Sequence, residues 1–309
     1  MTEQQTDTST VGDCDTDADS ASDTDSASDA DAARVVIVGG GVAGLTAATF
    51  TARAGLDTLV VDTVGGSPAG GRTESGDADP SGDRRASGDL DESILARNAH
   101  LENVPGFPGG INARQFLDLL AEQAEENGAR RRTGRVADIV RGNNGFEVRA
   151  VARDDDTRRF RADAVVAASW SDASYLHGLG VETREAGSKE YVVVDEVGRT
   201  NVDGVYAAGR IAEKYHQAIV AAGHGAEVGL TVVHDSDVPY YHDWVTPEGY
   251  FTDRGREVPP GCEEIDADER ARRHAAGRER MREALADPHP EPQRTHPSLV
   301  DDELGRLNE

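Results

Sequence analysis

Residues 34–62 read RVVIVGGGVAGLTAATFTARAGLDTLVVD. Val35-Val36-Ile37-Val38 is a short, apolar, β-branched run, the pattern of a strand buried on both faces. Gly39 to Gly44 follow as G-x-G-x-x-G. In such a loop Gly39 permits the tight turn, Gly41 lets the backbone approach a pyrophosphate, and Gly44 lets a helix pack closely on a strand. Val42–Ala54 then predicts a helix stopped by Gly55, and Thr58–Val61 a second strand with Asp62 at its end. The helix opens on Val42 and Ala43, whose end offers free N–H groups and a positive dipole to phosphates. Asp62 stands where an acid accepts hydrogen bonds from a ribose hydroxyl, which favours FAD or NAD over NADP.

The flanking composition is strongly acidic. The formal net charge is -26, with 58 acidic against 32 basic residues, and the only lysines are Lys189 and Lys214. Such a surface repels itself at low salt, whereas at molar salt the Debye length falls to roughly 3 Å and the repulsion is screened. This resembles the proteins of extreme halophiles, haloarchaea in particular, so the acidity reads as solvent adaptation. No basic patch offsets it, which argues against nucleic-acid binding. Residues 1–32 hold ten acids and no base among Ser, Thr and Ala, and are expected to be a disordered tail. The uncharged stretch from Arg34 to Arg53 divides into strand, turn and helix and is not read as a membrane span. With no secretory signal, a soluble cytoplasmic protein is expected. The cysteines, Cys14 and Cys262, form no C-x-x-C and no Cys/His cluster, so neither a disulfide scaffold nor a metal site is expected.

Downstream, residues 73–95 are largely Gly/Ser/Asp-rich and aperiodic and read as a mobile insertion. Asn112 caps a predicted helix through Asn127. Val136–Val140, Phe146–Ala152 and Phe160–Ala168, joined through Asn144-Gly145 and an Asp-rich turn, predict a three-stranded meander. Tyr191–Val194 and Val205–Ala208 are two further strands, and Gln217–Val233 a long helix of small residues. Residues 33–235 are thus expected to form one α/β, doubly wound, Rossmann-like dinucleotide-binding domain. Residues 236–309 are expected to be an irregular, partly helical C-terminal extension whose end is disordered. Its aromatic segment, Tyr240 to Phe251, either covers an exposed cofactor, forms a homodimer interface or packs as a satellite core.

Two later stretches sharpen the cofactor. Glu102-Asn103-Val104-Pro105-Gly106-Phe107-Pro108-Gly109-Gly110-Ile111 is similar to the E-N-x-P-G-F-P-x-x-I segment of the thioredoxin reductase family. Residues 200–230, TNVDGVYAAGRIAEKYHQAIVAAGHGAEVGL, resemble that family's closing motif. The resemblance covers roughly residues 34–233 and implies FAD. It implies that Gly209 lies against the ribityl chain and that the helix beginning at Gln217 and Ala218 points its N–H groups at the pyrimidine side of the flavin. It further implies Asn103 near the isoalloxazine and Val136 against the adenine. Arg72, after Gly70-Gly71, either touches the cofactor phosphates or is a plain surface arginine.

The chain also departs from the family. From Ser169 to Tyr191 there are about twenty residues, too few for the family's nicotinamide domain, since one β-α-β unit needs roughly 30. The redox C-x-x-C is missing, so dithiol exchange with thioredoxin is not expected. The family's A-A-G-D reads Ala207-Ala208-Gly209-Arg210. Arg210 either weakens flavin binding, by replacing an acid that bonds the ribityl or phosphate region, or pairs with the pyrophosphate. His100, His216 and His224 are proton-transfer candidates, His216 the foremost as a catalytic residue. The expectation is an FAD-dependent oxidoreductase that exchanges electrons with transiently bound NAD(P)H or a redox partner protein. The alternative is a non-catalytic flavin- or NAD-binding regulatory protein.

Overall fold

The first strand, β1 (Ala32–Val38), alternates its side chains between two buried layers: Val35 and Ile37 face one, Val36 and Val38 the other. The computed structural model describes residues 32–63, 93–152, 156–240, 242–302 and 305–307. The tail expected over 1–32 and the insertion expected over 73–95 lie almost wholly outside these. Ala32 already belongs to β1, and Ser93 caps a short 3-10 turn at Ile94–Arg97.

After the glycine loop comes α1 (Val42–Arg53), which returns the chain to β2 (Thr58–Asp62), parallel to β1. Three threonines of α1 turn their hydroxyls onto carbonyls one turn back, so these hydroxyls are satisfied within the helix. Gly55, at a φ of 89°, ends it. Next, α2 (Ala113–Glu126) starts at Asn112, whose side chain accepts from the N–H groups of Arg114 and Gln115. It leads into β3 (Arg130–Thr133), parallel to β2. That strand carries no apolar pattern and is absent from the sequence reading. It lies at the sheet edge, where Arg130 reaches Asp57 and the Ala32 carbonyl.

The meander follows as β4 (Arg135–Arg141), β5 (Phe146–Val151) and β6 (Thr157–Ala167). β6 has eleven residues and two roles. Its first half pairs antiparallel with β5, while its second half runs parallel between β1 and β9 (Val205–Ala207). The third meander strand is therefore also a central strand of the parallel sheet. Between β6 and β9 lie a 3-10 segment (Ser174–Leu179) and a hairpin of β7 (Thr183–Ala186) and β8 (Lys189–Val192). The long helix α3 (Ala218–Asp235) completes the domain.

One face of the sheet is covered by α1, α2 and α3, around Ile37, Leu45, Val60, Val166 and Val228. The other is covered by the meander and the 3-10 segment, around Val36, Ile139, Phe146, Val165 and Leu176. Beyond α3, β10 (Trp244–Pro247) pairs parallel with β11 (Cys262–Ile265), and α4 (Ala267–Ala284) runs without a buried residue. No helix among the described residues is long and apolar enough to cross a membrane.

The helices α1 and α3 touch backbone to backbone. A Cβ on Gly225 would lie 2.3 Å from the Ala43 carbonyl oxygen, and one on Gly229 would lie 3.0 Å from that of Ala47. Gly223, two residues from Gly225 on the same helix, has nothing within 4 Å of such a Cβ. Gly225→Ala should therefore destabilise by about 1–3 kcal/mol through overpacking. Gly223→Ala should stabilise by about 0.5–1 kcal/mol through helix propensity. Denaturant unfolding of both variants in molar KCl checks the opposite signs.

Candidate functional site

The carboxyl ends of β1, β2, β6 and β9 carry the predicted loop. β1 continues by its helix to β2 on one side, while β6 and β9 lie on the other, so Gly39 marks the point where the strand order reverses. Ligand crevices of open α/β sheets form there. Gly39 is held by its N–H on the Val61 carbonyl (2.9 Å), at a φ of 110°. A Cβ on it would lie 2.8 Å from the Ala168 carbonyl oxygen, and one on Gly44 would strike the Gly39 carbonyl oxygen at 1.9 Å. Both glycines are thus required by packing. Gly41 differs, because the nearest atom to a Cβ there is Ser93 Oγ at 3.7 Å. Among the described residues no atom demands a glycine at this position, as expected if its open side serves a ligand.

Gly40, not singled out from sequence, faces Asp62: a Cβ on it would lie 2.4 Å from the carboxylate. Asp62 ends β2, accepts the Thr63 N–H at 2.9 Å, and takes the Gly134 N–H on its carbonyl. This puts the start of β4, with Val136 buried, beside the end of β2.

The second half of the site comes from α3 and the residues before it. Gly209 has a φ of 77°, and a Cβ on it would lie 2.6 Å from that of Ala43, in the first turn of α1. Asn103 donates to the Gln217 side chain at 2.7 Å, tying the 102–111 loop to the start of α3. That loop is closed by paired hydrogen bonds between Leu101 and Ile111. Val42, Val104, Ile111, Phe116 and Ala218 form one small apolar cluster beneath it. The structure thereby brings together Gly39, Gly41, Val42, Ala43, Gly44, Gly209, Gln217, Ala218 and Asn103, with Asp62 and Val136 at one flank. Arg72 lies outside the described residues.

The electrostatics of this cleft differ from those of the chain. α1 and α3 both start without a side-chain cap and without an acid in the first turn. In contrast, α2 is capped by Asn112, and α4 by Asp266 with Asp268 and Glu269 following. In a chain of net charge -26 the two uncapped N-termini lie side by side. Unsatisfied N–H groups and the positive ends of two dipoles make an anion site.

The candidate histidines separate. His100 is hydrogen-bonded to the Gly109 carbonyl at 3.1 Å and serves the 102–111 loop. His216 packs edge-on against Trp170, ring centroids 5.8 Å apart. His224 is buried in α3, where its Nδ1 accepts the Gly209 N–H at 2.9 Å. The accepting Nδ1 assigns the proton to Nε2 in the neutral ring. Arg210 turns towards Tyr191, donating to its hydroxyl at 2.6 Å. Sequence spacing gave no hint of the His224–Gly209 bond, because it joins a helix interior to a loop fifteen residues earlier.

Two other features prove remote. The aromatic segment from Tyr240 lies at the far end of α1, where Asp243 binds Arg53, and Tyr240 packs near His234 at the end of α3. α1 has twelve residues, or roughly 18 Å of helix, so of the alternatives for this segment the one that has it cover the glycine-loop cleft does not hold. Phe251 is buried there as satellite packing. A cleft of about 580 Å3, lined by Arg34, Asp163, Arg199 and Asp235, lies at the amino ends of the strands, opposite the glycine loop. Among the described residues no cluster of His, Cys, Asp and Glu has the arrangement of a metal site.

Burial, and after it the charge of Lys214, lowers the His224 imidazole from 6.5 to about 4. The unfolded chain binds this proton below 6.5 and the folded chain only near 4, so the contribution to stability is present above 6.5 and lost as pH falls towards 4. Thermal unfolding across this window should weaken with acidification more steeply in the wild type than in His224→Asn, which keeps an acceptor for Gly209. Equal slopes would place His224 in contact with water.

Known proteins match this architecture. Residues 110–225 fit the family model of pyridine nucleotide-disulphide oxidoreductases, and residues 37–87 that of an NAD(P)-binding Rossmann-like domain. The thioredoxin reductase of Aquifex aeolicus is 30% identical over 135 residues, 44% of this chain and 33% of its own length. That of Penicillium chrysogenum is 27% identical over 155 residues, 49% of this chain and 40% of its own. The match thus spans well under half the length of these relatives. The crystal structure of Lactococcus lactis thioredoxin reductase shares the fold, with a TM-score of 0.50 at 15% identity, covering 66% of this chain and 98% of that one. These matches support a thioredoxin reductase-like fold of the pyridine nucleotide-disulphide oxidoreductase type for the glycine loop, the parallel sheet and the α3 closure.

Proposed function

We propose that this domain holds FAD between the Gly39–Gly44 loop and the Gly209–Ala218 segment and acts as an FAD-dependent oxidoreductase. The observation that carries the reading is the pairing of two uncapped helix N-termini, free of first-turn acids, in a strongly acidic chain. Gly41 and the N–H groups of Val42 and Ala43 would receive the pyrophosphate, Asp62 the adenosine ribose, and Val136 the adenine. Gly209 would lie along the ribityl chain, Arg210 beside it, and Asn103, Gln217 and Ala218 at the isoalloxazine. The bound flavin would supply reversible hydride and electron transfer, and the N-terminus of α3 would stabilise the negative charge of its reduced form. His216 is the proton-transfer candidate closest in sequence to that helix start.

Electrons would be exchanged with NAD(P)H bound transiently or with a redox partner protein. The connection from β6 to β9 holds only a 3-10 segment and a two-stranded hairpin, which supports a missing nicotinamide domain. With no C-x-x-C in the sequence, dithiol exchange is not part of the proposal. The same feature supports the second reading, a flavin- or NAD-binding regulatory protein without turnover.

Protein purified in molar KCl should carry a visible flavin band that denaturation releases as FAD. Anaerobic bleaching of this band by NADH, NADPH or a reduced protein donor supports the enzyme, and a stable band with all three supports the binding protein. A colourless protein that binds NAD would sink the flavin reading altogether. Gly41→Val should still fold, since the nearest described atom to the added Cβ, Ser93 Oγ, lies at ordinary contact distance, yet lose flavin by at least about tenfold in affinity. Flavin retained on folded Gly41→Val would refute this placement.

A further inference from the structure

The backbone pairing of β9 ends at Ala208, whose N–H is bonded to the Ala167 carbonyl at 2.8 Å. Gly209 is the first residue of the closing segment beyond the sheet. Its N–H goes instead to His224 Nδ1 at 2.9 Å, in the second turn of α3. Its carbonyl accepts the Lys214 N–H at 3.2 Å, which closes the 3-10 turn Gly209–Ala212. Gly209 also meets α1, since at its φ of 77° a Cβ would lie 2.6 Å from that of Ala43. Gly225, the residue after His224, meets the same first turn, 2.3 Å separating such a Cβ from the Ala43 carbonyl oxygen. α1 is thus touched by Gly209 and Gly225, and His224 ties these two contacts together.

Packing does not account for a histidine at this position. The side chain is buried, and its second nitrogen, Nε2, has no hydrogen-bond partner among the described residues. A buried donor left unmet is costly, and an apolar side chain would fill the same space without it. What an apolar side chain could not do is accept the Gly209 N–H. Ala208, which precedes the 3-10 turn, offers no side-chain cap in its place. A carboxylate could accept this N–H, but it would bring a negative charge towards a cleft whose two helix ends favour an anion. The imidazole accepts as a neutral group.

We propose that His224 is a positioning residue of the cofactor cleft, which holds Gly209 against α1 so that the closing segment retains the flavin. It acts through the Gly209 backbone alone. Without this bond Gly209, a glycine free to take many conformations, leaves its place against Ala43, and the segment that leads to Gln217 loosens with it. The inference rests on the function proposed above and adds to it the residue of α3 on which cofactor retention depends.

Full-length His224→Asn, His224→Gln and His224→Leu are compared with the wild type in molar KCl at neutral pH. The asparagine amide reaches the position of Nδ1, the glutamine amide that of Nε2, and leucine offers neither acceptor. FAD affinity is read by flavin fluorescence on titrating the apoprotein. Amide exchange over residues 205–214, read by mass spectrometry without flavin, reports the tie to Gly209 by itself. His224→Leu and His224→Gln should each bind FAD about tenfold more weakly and exchange this segment faster, the loss expected for one buried hydrogen bond left unmade. His224→Asn should stay within about twofold of the wild type in affinity, with unchanged exchange. Should His224→Leu fail to fold, the contrast between the other two variants carries the test. FAD binding equal to wild type in all three, rescue by glutamine in place of asparagine, or a loss in His224→Asn as deep as in His224→Gln would overturn the role of His224 and leave the proposed function standing. A wild type that takes up no FAD would overturn both.

Discussion

The contact between α1 and α3 is the constraint from which the rest of the cleft follows. Gly225 and Gly229 let α3 lie against the Ala43 and Ala47 carbonyls, and Gly209 meets the Ala43 side chain. With a bulkier residue at Gly225 the helices would separate, and their amino ends would no longer share the cluster formed by Val42 and Ala218. Bringing two positive helix ends together is electrostatically unfavourable by itself. Other helices of this chain relieve their amino ends with Asn112 or with Asp266, Asp268 and Glu269, but these two do not. The unrelieved charge is a reason for an anion to bind there, and the fold supplies the geometry without any charged side chain.

The same contact fixes the closing loop. Gly209 must take a positive φ to fit against Ala43, and its N–H then points at His224 in the second turn of α3. Burial keeps that imidazole neutral, so it accepts from Gly209 without adding a charge to the cleft. A protonated ring could not accept this bond through Nδ1 and would place a buried charge in the helix.

Much of this was legible in the residues, for a physical reason. Val35 to Val38, Val60 and Val166 are buried on a two-sided sheet, so their apolar runs announce strands, and Asn112 announces its helix because a cap must satisfy backbone donors. Asn103 and Gln217 were named separately and prove to be hydrogen-bonded to one another. What escaped were elements whose stability is not apolar. Arg130 to Thr133 form an edge strand with no buried residue, held by the backbone of β2 and by Asp57. β7 is likewise an exposed half of a hairpin. The double role of β6 was also hidden, since its length reads equally as a meander strand or a central one. Arg210 was placed by its neighbours in sequence, whereas Tyr191 and Trp170, brought in by the hairpin and the β6 end, decide where it points.

The distribution of charge gives these details a common sense. The C-terminal extension is tied to the domain largely by exposed ion pairs, among them Arg53 with Asp243 and Arg280 with Glu122 and Glu126. Exposed pairs contribute little singly, typically about 0–1 kcal/mol, and less at high salt. Arginine suits this use because its planar fork holds a carboxylate through two bonds at once, as Arg199 does with Asp235. Lysine has no such fork, and both lysines are absent from these pairs. Lys189 lies instead over the Trp170 ring, 5.9 Å from its centroid. The two uncapped helix ends stand out against this exterior: in a chain with 58 acidic residues, neither α1 nor α3 carries an acid in its first turn, so the positive ends of both helices are left for an anion to meet.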